Sequence, residues 1–75
     1  MARQELWVGL ADQPGRLAAV AADLGACGAR LVDLDMHADG DGSVVDRLVV
    51  DVPDDRHDEL AAAAGRWGVV MAASL

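Results

Sequence analysis

Disulfide chemistry is closed to this sequence within one chain, because Cys27 is its only cysteine. A single free thiol accords with a reducing, cytoplasmic setting. Basic side chains are scarce as well: six against thirteen acidic ones, a net charge of −7, with no basic cluster. Such a surface repels polyanions, which excludes a nucleic-acid binder. No apolar run approaches the roughly 20 residues that span a bilayer, so no membrane partner is expected. Arg3 and Glu5 interrupt the start of the chain where a signal peptide would be apolar. Aromatic residues are limited to Trp7 and Trp67. What the chain has in quantity is aliphatic side chains, which bring the apolar share to 53%. Seventy-five residues make one domain, 1–75, that buries only about 60–65% of its unfolded surface. Some of the remaining apolar surface is expected to meet another chain.

Two periodicities alternate along the sequence. Glu5 to Leu10 has a strand period, with Leu6, Val8 and Leu10 on one face and Trp7 on the other. Leu17, Val20, Ala21 and Leu24 then recur at helical spacing until Gly25 and Gly28, one of them a left-handed cap. Between these elements, Asp12 is suited to cap the helix and Pro14 to sit in its first turn. Arg30 to His37 alternates again, with Val32, Leu34 and Met36 opposite Asp33, Asp35 and His37. Asp39-Gly-Asp-Gly42 reads as a hairpin leading into Val44 to Val52. In that strand Leu48, Val50 and Val52 share a face with Asp46 at its rim, and Val45, Arg47, Val49 and Asp51 face the other way. Pro53 ends it, and Asp54 or Asp55 caps a second helix whose stripe is His57, Leu60, Ala61 and Ala64, ending at Gly65. Trp67 to Ala73 reads as a last strand that runs almost to Leu75, as in a domain cut from a longer chain.

The order β-α-β-β-α-β with right-handed crossovers gives an α+β, ferredoxin-like domain. Its sheet has four antiparallel strands, with both helices on one face. Trp7, Val45 and Val49 stand on the uncovered face among Asp33, Asp35, His37, Arg47 and Asp51. That face, or the edge formed by Arg30 to His37, needs a partner or must stay in water.

No catalytic constellation emerges. His37 lies between Asp35 and Asp39, but the flanking strands argue against a calcium loop, so no metal is expected. His57 has no serine or cysteine to activate and reads as a partly buried packing residue. Cys27 follows a helix C-terminus, where the dipole raises a thiol pKa, and reads as a small apolar filler. Trp7 on a strand reads as an interface anchor, while Trp67 is open between ligand stacking and packing. Asp12 and Arg30 offer an acceptor for an ammonium group and a planar fork for a carboxylate. Together they could read both ends of an amino acid. Equally, Asp12 could do no more than cap its helix, leaving Arg30 a solvated charge.

Three stretches, Asp12-Gln-Pro-Gly-Arg-Leu17, Leu24-Gly-Ala-Cys-Gly-Ala-Arg-Leu31 and Val45-Asp-Arg-Leu48, resemble an ACT domain, and the likeness extends from Glu5 to Ala73. The resemblance implies a non-catalytic regulatory module without a cofactor. Such a module commonly binds an amino acid or another small metabolite and is often attached to a metabolic enzyme. It also implies a homodimer formed edge to edge through the second strands, with ligand at the seam. Carried onto this chain, the ligand loop comprises Leu10, Ala11, Asp12, Gln13, Pro14 and Gly15, with Arg30 and Leu31 opening the second strand. Arg30 stands where amino-acid binders often carry asparagine, and Leu10 is apolar where some place a polar contact. An arginine there would clamp a different acid, or would fill the pocket and leave a ligand-free oligomerisation module.

Overall fold

In the computed structural model, which describes residues 1–10, 15–38 and 44–75, every expected element is present. The order is β1 (Ala2–Leu10), α1 (Arg16–Ala26), β2 (Arg30–Ala38), β3 (Val44–Val52), α2 (His57–Trp67) and β4 (Val69–Ser74). A single 3₁₀ turn, Asp54–Arg56, precedes α2. The strands form one antiparallel sheet in the order β2-β3-β1-β4, a ferredoxin-like βαββαβ arrangement. The hairpin expected at Asp39 to Gly42 lies outside the described residues.

The core lies between the helices and one face of the sheet. Leu6 and Val8 of β1 and Leu48, Val50 and Val52 of β3 meet Val20, Leu24, Leu60, Ala63, Ala64 and Trp67. Cys27 is buried in the same cluster, as its small apolar side chain suggested. Burial of a Leu-sized side chain contributes about 1.5–3 kcal/mol, so this single layer carries most of the hydrophobic stabilisation.

Helix ends depart most from expectation. α1 starts at Arg16, and its N-cap is Gly15 at φ +83° rather than Asp12. Pro14 therefore precedes the cap instead of occupying the first turn. A left-handed residue at this position suits glycine, because any Cβ would crowd the following carbonyl. At the other end, Gly25 lies inside the helix and Gly28 provides the left-handed turn, at φ +69°. The Ala29 N–H reaches Leu24 O at 2.9 Å and the Gly28 N–H reaches Gly25 O at 3.1 Å, a Schellman pair that satisfies the last carbonyls. Arg56 adds a bond to Ala26 O at 2.7 Å, joining this end of α1 to the turn before α2.

α2 also outlasts its predicted end. Gly65 is an interior residue, and the stop is Gly68 in the left-handed region. Trp67 is consequently the last residue of a helix rather than the first of a strand. It is buried, and its Nε1 donates to Asp23 Oδ2 of α1 at 2.8 Å, which decides for packing over ligand stacking. Ala61 is exposed, and the buried stripe is Leu60, Ala63, Ala64 and Trp67. Neither Asp54 nor Asp55 is the N-cap of α2, because both belong to the 3₁₀ turn. β1 begins at Ala2, three residues before the alternation suggested.

Candidate functional site

Three parts of the molecule bear on function: the edge formed by β2, the open sheet face, and the end where β1 gives way to α1. Among the described residues β2 pairs only with β3, so its other side is an edge of the sheet. Leu31 and Leu34 lie opposite Val50 and Leu48, both core residues, and the register shifts at Val32 between them. This bulge breaks the expected face of Val32, Leu34 and Met36, leaving Leu34 as the residue that packs against the core. Leu31, Val32 and Met36 are 40%, 41% and 71% exposed. α1 lies against β2, and its exposed Leu17 and Ala21 add to the apolar character of this flank.

The uncovered face carries charge in an ordered pattern. Arg47, at its centre, donates to Glu5 at 2.6 Å and to Asp35 at 3.3 Å, and lies 3.6 Å from Asp33. Arg3 holds Asp51 through two bonds of 2.9 and 3.1 Å, and Arg30 lies 3.7 Å from the same carboxylate. The Arg3 guanidinium holds the Asp51 carboxyl below the usual range. Glu5 is lowered first by the Trp7 indole N–H, which donates to it at 2.8 Å, and then by Arg47. Val49 is buried beneath these ion pairs. Trp7 is half-buried against His37, with ring centroids 5.1 Å apart, so its indole already has partners within the chain.

The predicted site residues separate into two groups. Ala11, Asp12, Gln13 and Pro14 lie outside the described residues. Leu10 ends β1 opposite Val44, and Gly15 begins α1 just beyond. Arg30 is at the other end of the sheet, opposite Asp51, which in turn is opposite Arg3. Arg3 and Leu10 are seven residues apart along β1, about 23 Å at strand rise. One protomer therefore cannot bring Arg30 to the β1–α1 junction.

Asp46 is a residue that alternation underrated. It keeps the helix-side phase of Leu48 and Val50, and it is 1% exposed rather than at a rim. Its cross-strand neighbours are Val8 and Met36. Burial pushes its carboxyl above the ordinary range, partly opposed by His37. The signal in the sequence was an acidic residue in phase with three core aliphatics. His57 is half-buried and meets the Gln4 side-chain amide, in keeping with a packing role. Among the described residues, no group of three His, Cys, Asp or Glu side chains is placed to hold a metal ion. No described helix is long and apolar enough to cross a membrane.

No protein-family model and no curated protein sequence matches this chain. Solved structures do. A formyltetrahydrofolate deformylase from Pseudomonas syringae pv. tomato superposes with a TM-score of 0.67 at 17% identity, over 99% of this chain and 28% of its own. The corresponding enzyme from Burkholderia mallei gives 0.56 at 19% identity, over 99% and 27%. This chain thus spans little more than a quarter of the deformylases it overlays. The ACT domain from the GTP pyrophosphokinase of Chlorobium tepidum gives 0.59 at 17% identity, over 99% of this chain and 95% of that one. These identities speak to architecture, and the architecture of this chain is that of an ACT domain.

Proposed function

We propose that this chain is a non-catalytic regulatory domain that pairs with a second copy through β2 and binds a small metabolite, an amino acid or related acid, at the seam. The observation that carries this reading is the β2 edge. It is a nine-residue strand, unpaired on one side, with Leu31, Val32 and Met36 exposed and an apolar flank of α1 beside it. An edge of this kind offers both backbone hydrogen-bonding groups and apolar surface to another strand. The ordered ion pairs of the uncovered face favour water there, which leaves the edge as the better surface for association.

Antiparallel pairing also resolves the separation of the site residues. It runs Arg30 of the second copy toward the β1–α1 junction of the first, where Gly15 opens α1. A two-fold axis through Leu34 would set Asp33 against Asp35 of the copy, and like charges directly opposite are destabilising. An axis through Met36 sets Asp35 against His37 and buries Met36 against itself. Ligand held between two chains would stabilise the pair by RT ln(1 + [L]/Kd), about 2.7 kcal/mol at a hundredfold excess over Kd. The domain would act in the cytoplasm as a sensing attachment to a metabolic enzyme.

A second reading rests on Arg30 itself. Its guanidinium lies 3.7 Å from Asp51 within the chain, so the arginine already has a carboxylate and the domain would be a pairing module without ligand. Mass in solution together with thermal shift across amino acids and small organic acids separates these readings. A dimer whose melting temperature rises with a ligand, and whose binding weakens in Arg30→Ala without loss of pairing, supports the first. A dimer indifferent to every compound supports the second, and a monomer at millimolar concentration ends both.

A further inference from the structure

On the uncovered face one arginine serves three acids. Glu5, Asp33 and Asp35 share the guanidinium of Arg47, and the side chains of Asp33 and Asp35 are each more than half exposed. Pairing two copies along β2 brings two such clusters side by side, which adds repulsion between carboxylates that already divide one cation. A group on the same strand can answer it. His37 is opposite Val45, in phase with Asp33 and Asp35, and is exposed.

The described surroundings of His37 come from three strands, since the helices cover the opposite face of the sheet. From β1, Trp7 lies against the imidazole with ring centroids 5.1 Å apart, and an indole ring attracts a cation. Trp7 in turn donates to Glu5. From β3, Val45 stands opposite, Arg47 follows on the same face, and the buried Asp46 is near enough for His37 to act on its carboxyl. Along β2 the next residue on this face is Asp35, which Arg47 holds at 3.3 Å.

From Asp33 to Ala38 the register of β2 is regular, so a two-fold axis there fixes which side chains meet. An axis through Leu34 opposes Asp33 and Asp35, and one through Asp35 opposes that acid to itself. An axis through Met36 sets Asp35 of each copy opposite His37 of the other, so the seam carries two contacts between an acid and an imidazole.

We propose that pairing through β2 is proton-linked: protonated His37 meets Asp35 of the second copy, so the domain associates as pH falls through the histidine range and separates as it rises. This rests on the pairing reading and adds a regulation to it. The sign follows from linkage, because a state that favours the protonated imidazole gains stability as pH falls.

The test is the dimer dissociation constant of the unaltered chain, by sedimentation equilibrium at about pH 5.5 and about pH 8, toward either end of the range in which histidine changes charge. Two charged cross-strand contacts should tighten the dimer by between about threefold and thirtyfold at the lower pH. His37→Gln and Asp35→Asn should each reduce that change to less than about twofold. His57→Gln should retain it, since that imidazole meets Gln4 rather than this edge. A dimer no tighter at the lower pH overturns the proposal and leaves the pairing reading standing, as does a dependence that survives His37→Gln or Asp35→Asn, or is lost with His57→Gln. A chain that stays monomeric at millimolar concentration at both pH values overturns both. Should a variant fail to fold, NMR titration of the unaltered chain decides. The His37 imidazole should titrate at higher pH in concentrated than in dilute solution, and a titration indifferent to concentration overturns the linkage.

Discussion

β2 and β3 are neighbours of equal length, nine residues each, and both alternate in sequence. None of the nine residues of β3 is exposed and six are buried, whereas in β2 only Leu34 is even half-buried. The difference is one of position. β3 lies between β2 and β1 and under the helices, while β2 has a neighbour on one side alone. A pattern of alternation announces a strand but is silent about how many neighbours that strand will have.

That contrast can be broken by matched substitutions. Leu48→Ala, in the middle of β3, should cost about 2–5 kcal/mol. The whole stability expected for a domain of this size is about 4–11 kcal/mol, so denaturant melts should show a large loss or outright unfolding. Leu34→Ala, its cross-strand partner on β2, should lose roughly half as much, because only part of that side chain leaves water. Gly28→Ala should cost about 1–2 kcal/mol from the left-handed backbone alone. Its Cβ would also stand 2.9 Å from Arg56 Nη1, so the bond from Arg56 to Ala26 should loosen, visible as faster amide exchange at the end of α1.

Met36→Ala should change monomer stability by less than about 0.5 kcal/mol. A larger loss that depends on protein concentration would show that β2 is covered by another chain in solution. Titration sharpens the same contrast by sign. Glu5 and Asp51 are lowered, so their contribution is present above the unfolded carboxylate pKa and is lost as pH falls through their folded values. Asp46 is raised, so its contribution is present at low pH and is lost as pH rises through its folded value. Asp46→Asn should therefore flatten the upper part of a melting-temperature profile, and Asp51→Asn the acid part.

Much of the architecture was legible in the sequence because two signals are local. Strand and helix periods identified six elements in the right order, and the inward residues Leu6, Val8, Val20, Leu24, Leu48, Val50 and Val52 were all recognisable by phase. The errors fell where one residue type serves two geometries. Gly65 resembled a helix stop, but glycine in a helix interior costs only about 1 kcal/mol, which the packing of Leu60, Ala63 and Trp67 easily offsets. Asp12 resembled a cap, yet Gly15 supplies the turn. The bulge at Val32 was hidden because Val32 keeps the sequence phase of Leu34 and Met36, and only the adjacent apolar pair Leu31 and Val32 breaks the alternation. The sequence leaves open whether Arg30 meets the loop of its own chain or of a copy, and the antiparallel sheet puts Arg30 of the same chain at the opposite end from the junction that follows β1.

The single guanidinium of Arg47, gathering three acids above Val49, has a consequence for how copies of this domain can accumulate. A broad surface kept hydrated in this way resists stacking, so growth is confined to the plane of the sheet. Two molecules paired as proposed through β2 would form a continuous eight-stranded layer with every helix on the same side. Such a layer would be asymmetric in thickness, with helices on one side and charge on the other, and would carry the β4 rims at its two extremities.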